Sequence, residues 1–293
     1  MMNNLAIYRT KLRYTYTAFV RTMHHNLFLI IGFYGLLLTL IACILTPWLA
    51  SNIDQLYPLK RFLMPAWFEQ GDINHILGID NTGKDIFKRL LWALQTSLAI
   101  TLLITLYVIL IGTVMSLWTV FCRPAAHIVL LSIQTITAIP PLLMMMILSL
   151  FSGNTLNNLM MVVGVSLLPR FIHNLYNMVN NELKKTYIIA LRLDGLSIMN
   201  IMRYSVFPNI LANFVSECIA IFTTCLLALT TLTFLNFGIE SDYNELGVMM
   251  REMIAIMPIN QWAFIAPGLA ILCVILLLNF FDYGLQQARS YRD

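Results

Sequence analysis

The sequence predicts an all-α integral membrane protein with six transmembrane helices. Of its 293 residues, 59% are hydrophobic and only 11% are charged, whereas roughly a quarter are charged in an ordinary soluble domain. The mean hydropathy is +0.77, and a soluble globule has too little interior to bury so much apolar surface. The apolar residues form long runs rather than an alternating pattern, which favours spanning helices over an outer-membrane barrel. These features exclude a cytosolic enzyme, a disordered chain and a secreted disulfide scaffold.

The first two spans follow from charge-free runs that reach the length of about 20 residues needed to cross a bilayer. The first is predicted at 27–49 and the second at 91–122. The basic leader 1–26 and the first apolar run together resemble a signal peptide. The run continues through Cys43 into further apolar residues, however. We therefore expect an uncleaved first helix.

The third and fourth spans are predicted from the charge-free stretch 124–169, which is too long for one helix. The polar residues 152–155 form the expected turn between them. Pro140 and Pro141 are expected to bend or break the third helix, because proline removes a backbone donor and clashes with the preceding turn.

The fifth span is predicted at 210–236, and the sixth lies within 253–281. Glu217 interrupts the fifth span, where a carboxylate costs about 2.5–3.5 kcal/mol on insertion scales. It should therefore face protein or a cavity rather than lipid. Two interpretations stay open: Glu217 lines a transport pathway, or it makes a structural hydrogen bond between helices.

The distribution of basic residues predicts the orientation. Six spans place both termini on one side of the membrane, and cytoplasmic loops are enriched in lysine and arginine. The outer segment 50–90 and the loop 238–261 hold six of the 18 basic residues, whereas twelve lie on the side of the termini. Both termini, including the tail 284–293, are therefore predicted to be cytoplasmic. The twelve are Arg9, Lys11, Arg13, Arg21, Arg123, Arg170, Lys184, Lys185, Arg192, Arg203, Arg289 and Arg292.

Two outer segments are more polar than bare connections require. In the first, the glycines at 78 and 83 predict a tight turn before the second span, as an interfacial anchor. Asp85 and Arg89 are four residues apart and are expected to pair on a helix face. In the second, the acidic stretch 238–261 would attract cationic solutes, but a solvated loop is the favoured interpretation.

The cytoplasmic segment 170–208 contains a helix, a glycine break and a second helix. Apolar residues follow helical spacing from 183 to 191, and Gly195 suits a helix terminus. Ser197 is expected to cap a short helix at 198–206, before Pro208 opens the fifth span. The segment either floats on lipid headgroups or docks a soluble partner. The sharp break favours docking, since a surface float needs no turn.

The sequence contains no Walker-type phosphate-binding loop, no metal-ligand cluster and no nucleophile–base constellation. We therefore expect no catalytic residues, metal or cofactor, and no hydrolysis of ATP by this chain. The five cysteines form no CxxC pair and are expected to be inert buried thiols. Spans nearly bare of ionisable groups count against a secondary transporter.

Residues 187–195, followed by Ile201 and Pro208, resemble the "EAA" loop of ABC importer permeases. The resemblance implies the type I importer permease fold, with a transmembrane type-1 domain at 91–283. It also implies that this loop is a coupling helix that seats in a groove of an ATPase subunit. The coupling residues carried over are Tyr187, Ala190, Leu191, Arg192, Asp194 and Gly195.

A second resemblance lies before the second span. The stretch 78–89 is similar to a signature of C-type permeases in the dipeptide/oligopeptide group, at Gly78, Asp80, Gly83, Asp85 and Arg89. The sequence departs from the loop pattern where Ile189 replaces the glutamate and Leu191 the second alanine. In this it resembles the Sap subgroup. Docking is then expected to depend on apolar burial and Arg192.

These resemblances imply an inner-membrane permease subunit that forms the path for peptides, and in the Sap subgroup for cationic antimicrobial peptides. They also imply a homologous second permease, two cytoplasmic ATP-binding subunits, a periplasmic solute-binding protein and membrane lipid as partners. The net charge of +4 is too small and too dispersed to suggest nucleic acid as a partner. A putrescine or polyamine exporter of the same family is one alternative. A membrane channel or scaffold without energy coupling is the other.

Overall fold

A computed structural model describes residues 26–51, 55–69, 71–153, 155–237 and 243–290. The leader 1–25, the last three residues and the loop 238–242 lie outside the described residues. Within the described ranges all regular elements are helical, apart from one isolated bridge between Ile79 and Asp85. The predicted all-α membrane fold is confirmed.

Ten α-helices lie in the described part of the chain. Short 3₁₀ turns lie at Pro58–Lys60 and Ile254–Ile256, and a π-helical turn at Met202–Val206 joins α7 to α8. The helices are α1 (Leu27–Leu49), α2 (Ile86–Phe121), α3 (Arg123–Thr137), α4 (Pro141–Ser152), α5 (Leu156–Leu183), α6 (Thr186–Leu193), α7 (Ile198–Ile201), α8 (Phe207–Phe234), α9 (Leu246–Met253) and α10 (Gln261–Ser290).

Five helices are long and apolar enough to cross a membrane, namely α1, α2, α5, α8 with its α7 extension, and α10. A sixth crossing exists if α3 and α4 count as one bent span, with an angle of 93° between them. The first span begins and ends where the sequence predicts. The break predicted at Pro140 and Pro141 is also confirmed, since α4 begins at Pro141.

The packing of α2 against α5 shows that the bent pair crosses the bundle. Tyr107 packs against Gly164, and the ring of Phe171 packs against Gly112 further along both helices. The two helices therefore run parallel. A chain that leaves the end of α2 must return along the bundle before α5 begins, and α3 and α4 make that return. The six-span prediction holds on this basis.

Two helices have other bounds than the sequence indicates. The helix of the fourth span, α5, continues past Pro169 to Leu183 and includes residues 170–183 of the expected connection. Phe171, Leu175 and Val179 are buried in the main core of the bundle, and this burial holds the helix together beyond the proline. The second short helix is not separate either, since α7 runs through the π-helical turn into α8.

The bundle has two distinct ends. Asn26 donates to the side chain of Gln287 at 3.0 Å, so the start of α1 and the end of α10 lie together. The first turns of α8 line a cavity with the end of α10, which places α6 at the same end. We call this the α6 end. At the other end, the α9 end, Thr233 of the last turn of α8 contacts Glu245 before α9.

Candidate functional site

The short helix α6 is a well-defined element with a specific C-terminal cap. Gly195 follows it with φ of +80°, in the left-handed region that favours glycine. Its N–H donates to the carbonyl of Arg192 at 3.1 Å, and the N–H of Leu196 donates to that of Leu191 at 3.2 Å. This pair of bonds is the Schellman motif. Ser197 then caps α7 by accepting from the N–H of Asn200, so the predicted helix–glycine–helix order is confirmed.

A hydrogen-bonded cluster joins α6 to two long helices, and we call its members Glu182, Tyr187 and Asn209 the clamp. The hydroxyl of Tyr187 on α6 donates to Oε1 of Glu182 on α5 at 2.5 Å. Asn209 on α8 donates to the same carboxylate at 3.3 Å and to the Tyr187 hydroxyl at 2.9 Å. Lys185 pairs with the other carboxylate oxygen at 2.7 Å. One carboxylate therefore connects three elements.

The chemistry of the clamp is structural rather than catalytic. Burial and then the hydrogen bond to Glu182 raise the pKa of Tyr187 to about 12. The phenol consequently stays protonated and remains a donor throughout the physiological pH range. Glu182 has only 6% of its surface exposed. A buried carboxylate with three donors around it fixes the position of the groups it joins.

The two faces of α6 have different surroundings. Ile188 is fully buried in the main core, and Leu191 and Tyr187 are half-buried against it. Leu191 was predicted to belong to the apolar docking surface, but the helix turns it toward the bundle. An outward apolar surface at this end includes residues that the sequence patterns did not single out. We call it the docking face: Ile189, Arg192, Leu193, Leu196, Ile198 and Met199, all exposed.

The predicted coupling residues Ala190 and Asp194 are both exposed at the C-terminal half of α6. Ala190 is exposed, and its carbonyl accepts from the N–H of Asp194 at 3.0 Å. Asp194 is the exposed C-cap of α6. Leu193 is the most exposed large apolar side chain of the helix, at 84%. These positions leave the outward side of α6 free of contact with the rest of the described chain.

The signature stretch 78–89 folds the outer segment onto the α9 end. Gly78 and Gly83 both have positive φ, at 84° and 86°. Between them, Oδ1 of Asp80 accepts from the N–H groups of Thr82 and Lys84, both at 2.8 Å. Asp80 is fully buried. The glycines and the carboxylate together form a tight turn, as the sequence predicts.

The predicted pairing of Asp85 with Arg89 was wrong. Asp85 is the N-cap of α2 and accepts from the N–H of Phe87 at 2.9 Å, while its second oxygen contacts His75 at 2.8 Å. Arg89 instead contacts Asp80 at 2.6 Å and Glu252 of α9 at 2.5 Å. The side chain of Asp85 is used by the helix start, which leaves Arg89 to join the turn to α9.

The acidic stretch before α10 is not a solvated loop where the structure describes it. Glu245 is fully buried and caps α9, accepting from Gly247 at 2.8 Å. It also accepts from Thr233 of α8 at 2.5 Å and from Ser97 of α2 at 3.1 Å. Burial raises its pKa. Glu240 and Asp242 lie outside the described residues. The solvated loop favoured by the sequence is thus wrong for Glu245, which connects three helices inside the protein.

Glu217 makes a hydrogen bond between helices, one of the two roles that the sequence left open. It accepts from the side-chain amide of Asn174 on α5 at 2.8 Å, which joins α5 to α8. It also lines a cavity of about 400 Å³ between α5, α8 and α10. Ser216, Asp282 and Gln286 contribute polar groups to the same cavity. No group of three or more potential metal ligands occurs among the described residues.

Comparison with known proteins places this geometry in context. Residues 109–291 match the family described as binding-protein-dependent transport system inner membrane component. The chain is 33% identical over 260 residues to the peptide transport system permease protein SapC of Escherichia coli O6:H1, covering 88% of each chain. It is 28% identical over 269 residues to the protein of that name in Haemophilus influenzae, covering 90% of each.

A dipeptide permease is similar to the chain over the same length. The dipeptide transport system permease protein DppC of Haemophilus influenzae is 27% identical over 261 residues, with 88% of each chain covered. The family match begins inside α2, so it includes α6 and the clamp but not the stretch 78–89. The similarity to the three relatives extends over most of the chain.

Proposed function

Because the chain belongs to the family of binding-protein-dependent transport system inner membrane components, we propose that it is the permease subunit of an ABC importer for peptides. It is a multi-span protein of a permease family from the bacterial inner membrane. The relatives described above are named peptide or dipeptide permeases, which favours peptides over polyamines. The observation that carries the mechanism is α6, a short helix clamped to two long helices with an exposed outward face.

The assembly follows from the family. ATP hydrolysis in such transporters is carried out by separate ATPase subunits. We infer two of these subunits, a homologous second permease and a periplasmic solute-binding protein as partners. We place both termini and the α6 end in the cytoplasm. The excess of lysine and arginine predicted on that side supports this orientation.

In the proposed mechanism, α6 transmits motion from an ATPase to the bundle. The docking face presents apolar side chains and one guanidinium, which suit a partly apolar groove. The buried side chain of Ile188 and the clamp prevent α6 from sliding independently of α5 and α8. A displacement of α6 is therefore passed to both spans. Gly195 ends the helix sharply, so that α6 remains a separate helix that can transmit this displacement.

Glu217 has a proposed role at the wall of the transport path. Its cavity lies at the α6 end between three spanning helices, and polar groups line it. A carboxylate held by Asn174 is positioned to contact polar groups of a passing solute. Replacing Glu217 with glutamine preserves the size of the side chain and tests whether the charge matters for uptake.

The test charges the docking face at its most exposed apolar position. We expect Leu193→Asp to reduce ATP-driven uptake of a labelled peptide by at least tenfold in the assembled transporter, because it places a charge in an apolar contact. Leu193 is 84% exposed, so the chain itself should remain folded. Thermal unfolding of the purified protein checks this, and co-purified ATPase measures docking.

The control is Leu59→Asp, at a residue 99% exposed on the opposite end of the bundle. This variant should retain both uptake and ATPase binding. Normal uptake by a stable Leu193→Asp protein would contradict the proposed coupling. A native complex purified without any ATPase subunit would instead favour the uncoupled channel or scaffold.

A further inference from the structure

The break between α3 and α4 leaves backbone acceptors without donors. Pro141 has no N–H for the carbonyl of Thr137, and the end of α3 leaves the carbonyls of Ala138 and Ile139 without the N–H groups four residues further on. Met144 donates back to Pro140 at 3.2 Å. The carbonyl oxygens of Thr137, Ala138 and Ile139 accept no hydrogen bond from any described residue. Three consecutive acceptors are thus open at one point of the chain.

The same stretch is exposed and includes three polar side chains. All residues from 134 to 143 are exposed. The amide of Gln134 has no hydrogen-bond partner in the described part of the chain. The hydroxyls of Thr135 and Thr137 donate to carbonyls of their own helix, at 2.9 and 3.0 Å, and leave their oxygens outward. The stretch also exposes the apolar side chains of Ile136, Ile139, Leu142 and Leu143. Unlike the exposed faces of α1 and α2 at Leu38, Leu110 and Val114, it combines them with polar side chains and an interrupted helix backbone.

The break lies near the middle of the bent pair of helices that makes the third crossing. The helix α3 has 15 residues, and a rise of 1.5 Å per residue makes it about 22 Å long. The apolar layer is about 30 Å thick, so α3 is too short to cross it alone, and a crossing made by α3 and α4 together places the break within it. No charged residue occurs between 124 and 169, so no ionic group is present to hold this segment among lipid headgroups.

Acyl chains cannot donate hydrogen bonds to these acceptors. Irregular backbone at this depth is tolerated only where protein buries it or where it lines a water-filled cavity. The exposure of the whole stretch argues against burial by this chain. A purely apolar partner helix would leave the carbonyls as unsatisfied as lipid would. Water, or a solute that brings its own donors, satisfies them.

We propose that the exposed break between α3 and α4 lines a water-filled part of the peptide path and offers its carbonyl oxygens to the N–H groups of the passing peptide. The inference rests on the proposed function, since it assigns a surface to the path that the function requires. A peptide backbone supplies one N–H donor per residue, proline excepted. Acceptors in a row fit a chain of such donors without selecting its side chains.

The test is accessibility to a charged thiol reagent in native membranes. The five natural cysteines are replaced, and a single cysteine is introduced as Thr137→Cys or Ala138→Cys in the assembled transporter. We expect a membrane-impermeant methanethiosulfonate with a quaternary ammonium group to modify either position. Modification should reduce peptide uptake at least fivefold, and excess peptide should slow the labelling.

The matched controls are Leu38→Cys and Leu110→Cys, at exposed apolar positions of α1 and α2 with 68% and 67% of the surface accessible. These lie against lipid and should not react. The proposal would be overturned if the Thr137→Cys and Ala138→Cys variants resisted the reagent as fully as the two controls. It would also be overturned if the reagent modified these variants and left their peptide uptake unchanged. Labelling needs no ATP and therefore tests this proposal separately from the proposed function. If the parent protein showed no ATP-driven uptake, the proposed function would be contradicted instead. If the cysteine-free chain fails to assemble, the same cysteine is introduced into the chain with its natural cysteines, and mass spectrometry identifies which positions are labelled.

Discussion

Individual carboxylates of this protein serve as joints between helices. Glu182 joins α5, α6 and α8 through Tyr187 and Asn209. Glu245 joins α2, α8 and α9, and Glu217 joins α8 to α5. A carboxylate can accept several hydrogen bonds at once, which makes it suited to hold three elements in a chain with few polar side chains. Glu182 therefore acts by holding Tyr187 and Asn209 in position.

At the residue scale, we predict that Tyr187→Phe weakens coupling without unfolding the protein. The change removes the hydroxyl that donates to Glu182 and accepts from Asn209, at a cost of about 1–3 kcal/mol for a broken buried network. Uptake per ATP hydrolysed should fall several-fold, because α6 is then held mainly by apolar contacts. Parallel measurement of ATPase activity and peptide uptake gives this ratio.

Tyr283→Phe is the control, since it removes a hydroxyl from a side chain that is 55% exposed on α10. It should leave the coupling ratio unchanged. A double substitution with Asn209→Ala tests whether the two residues act together. Strictly additive effects would argue that the clamp is not one unit.

At the element scale, α9 depends on its N-cap. The helix has eight residues, too few to be stable by itself. Its apolar face, including Leu246, Met249 and Met253, is buried against α2 and α10. Glu245 satisfies two of its free N–H groups and attaches its start to α2 and α8. The cap and the burial together explain why this stretch is ordered rather than solvated.

We predict that Glu245→Ala lowers the free energy of unfolding by about 1–3 kcal/mol. The substitution removes the cap and leaves the buried donors on Ser97 and Gly247 without an acceptor. Thermal unfolding of the detergent-purified protein should show a lower midpoint. Glu69→Ala, at an exposed position of the outer segment, should change the midpoint little. An unchanged midpoint for Glu245→Ala would show that α9 is held by apolar packing alone.

At the scale of the whole molecule, the first span is attached chiefly to the last. Only Leu29, Gly32 and Thr46 of α1 are buried. The backbones of α1 and α10 approach closely, because a methyl group on Gly32 would lie 2.7 Å from Cα of Phe281. Small residues allow such close contact between membrane helices. The first span is therefore packed on the edge of the bundle, and the family match at 109–291 does not include it.

We predict that Gly32→Ala forces α1 away from α10 and destabilises their contact by about 1–3 kcal/mol, the range for overpacking a tight interface. A cysteine pair placed across the contact should then cross-link more slowly. Gly268→Ala on α10 is the control, since the added methyl would meet only the Met250 side chain at 3.6 Å. Equal cross-linking in both variants would contradict the close approach.

The sequence by itself determined the features that depend on neighbouring residues. Charge-free runs gave the spans, and the first was correct at both ends. Pro140 and Pro141 predicted the break, while Gly195 and Ser197 predicted how α6 ends and α7 begins. The length of an apolar run, the missing N–H of a proline and the left-handed conformation of a glycine each affect the backbone locally, whatever the rest of the chain does. They can therefore be recognised from one sequence.

Only the tertiary structure decided which distant groups meet. Arg89 contacts Glu252, 163 residues away, instead of its helical neighbour Asp85. The inward direction of Leu191 and the burial of Glu245 likewise depend on which helices lie beside them. Single-sequence patterns contain no information on helix adjacency in a bundle whose surface is apolar throughout. The partners of polar groups are set by that adjacency, because a buried polar group can bond only to a donor or acceptor that the packing places beside it.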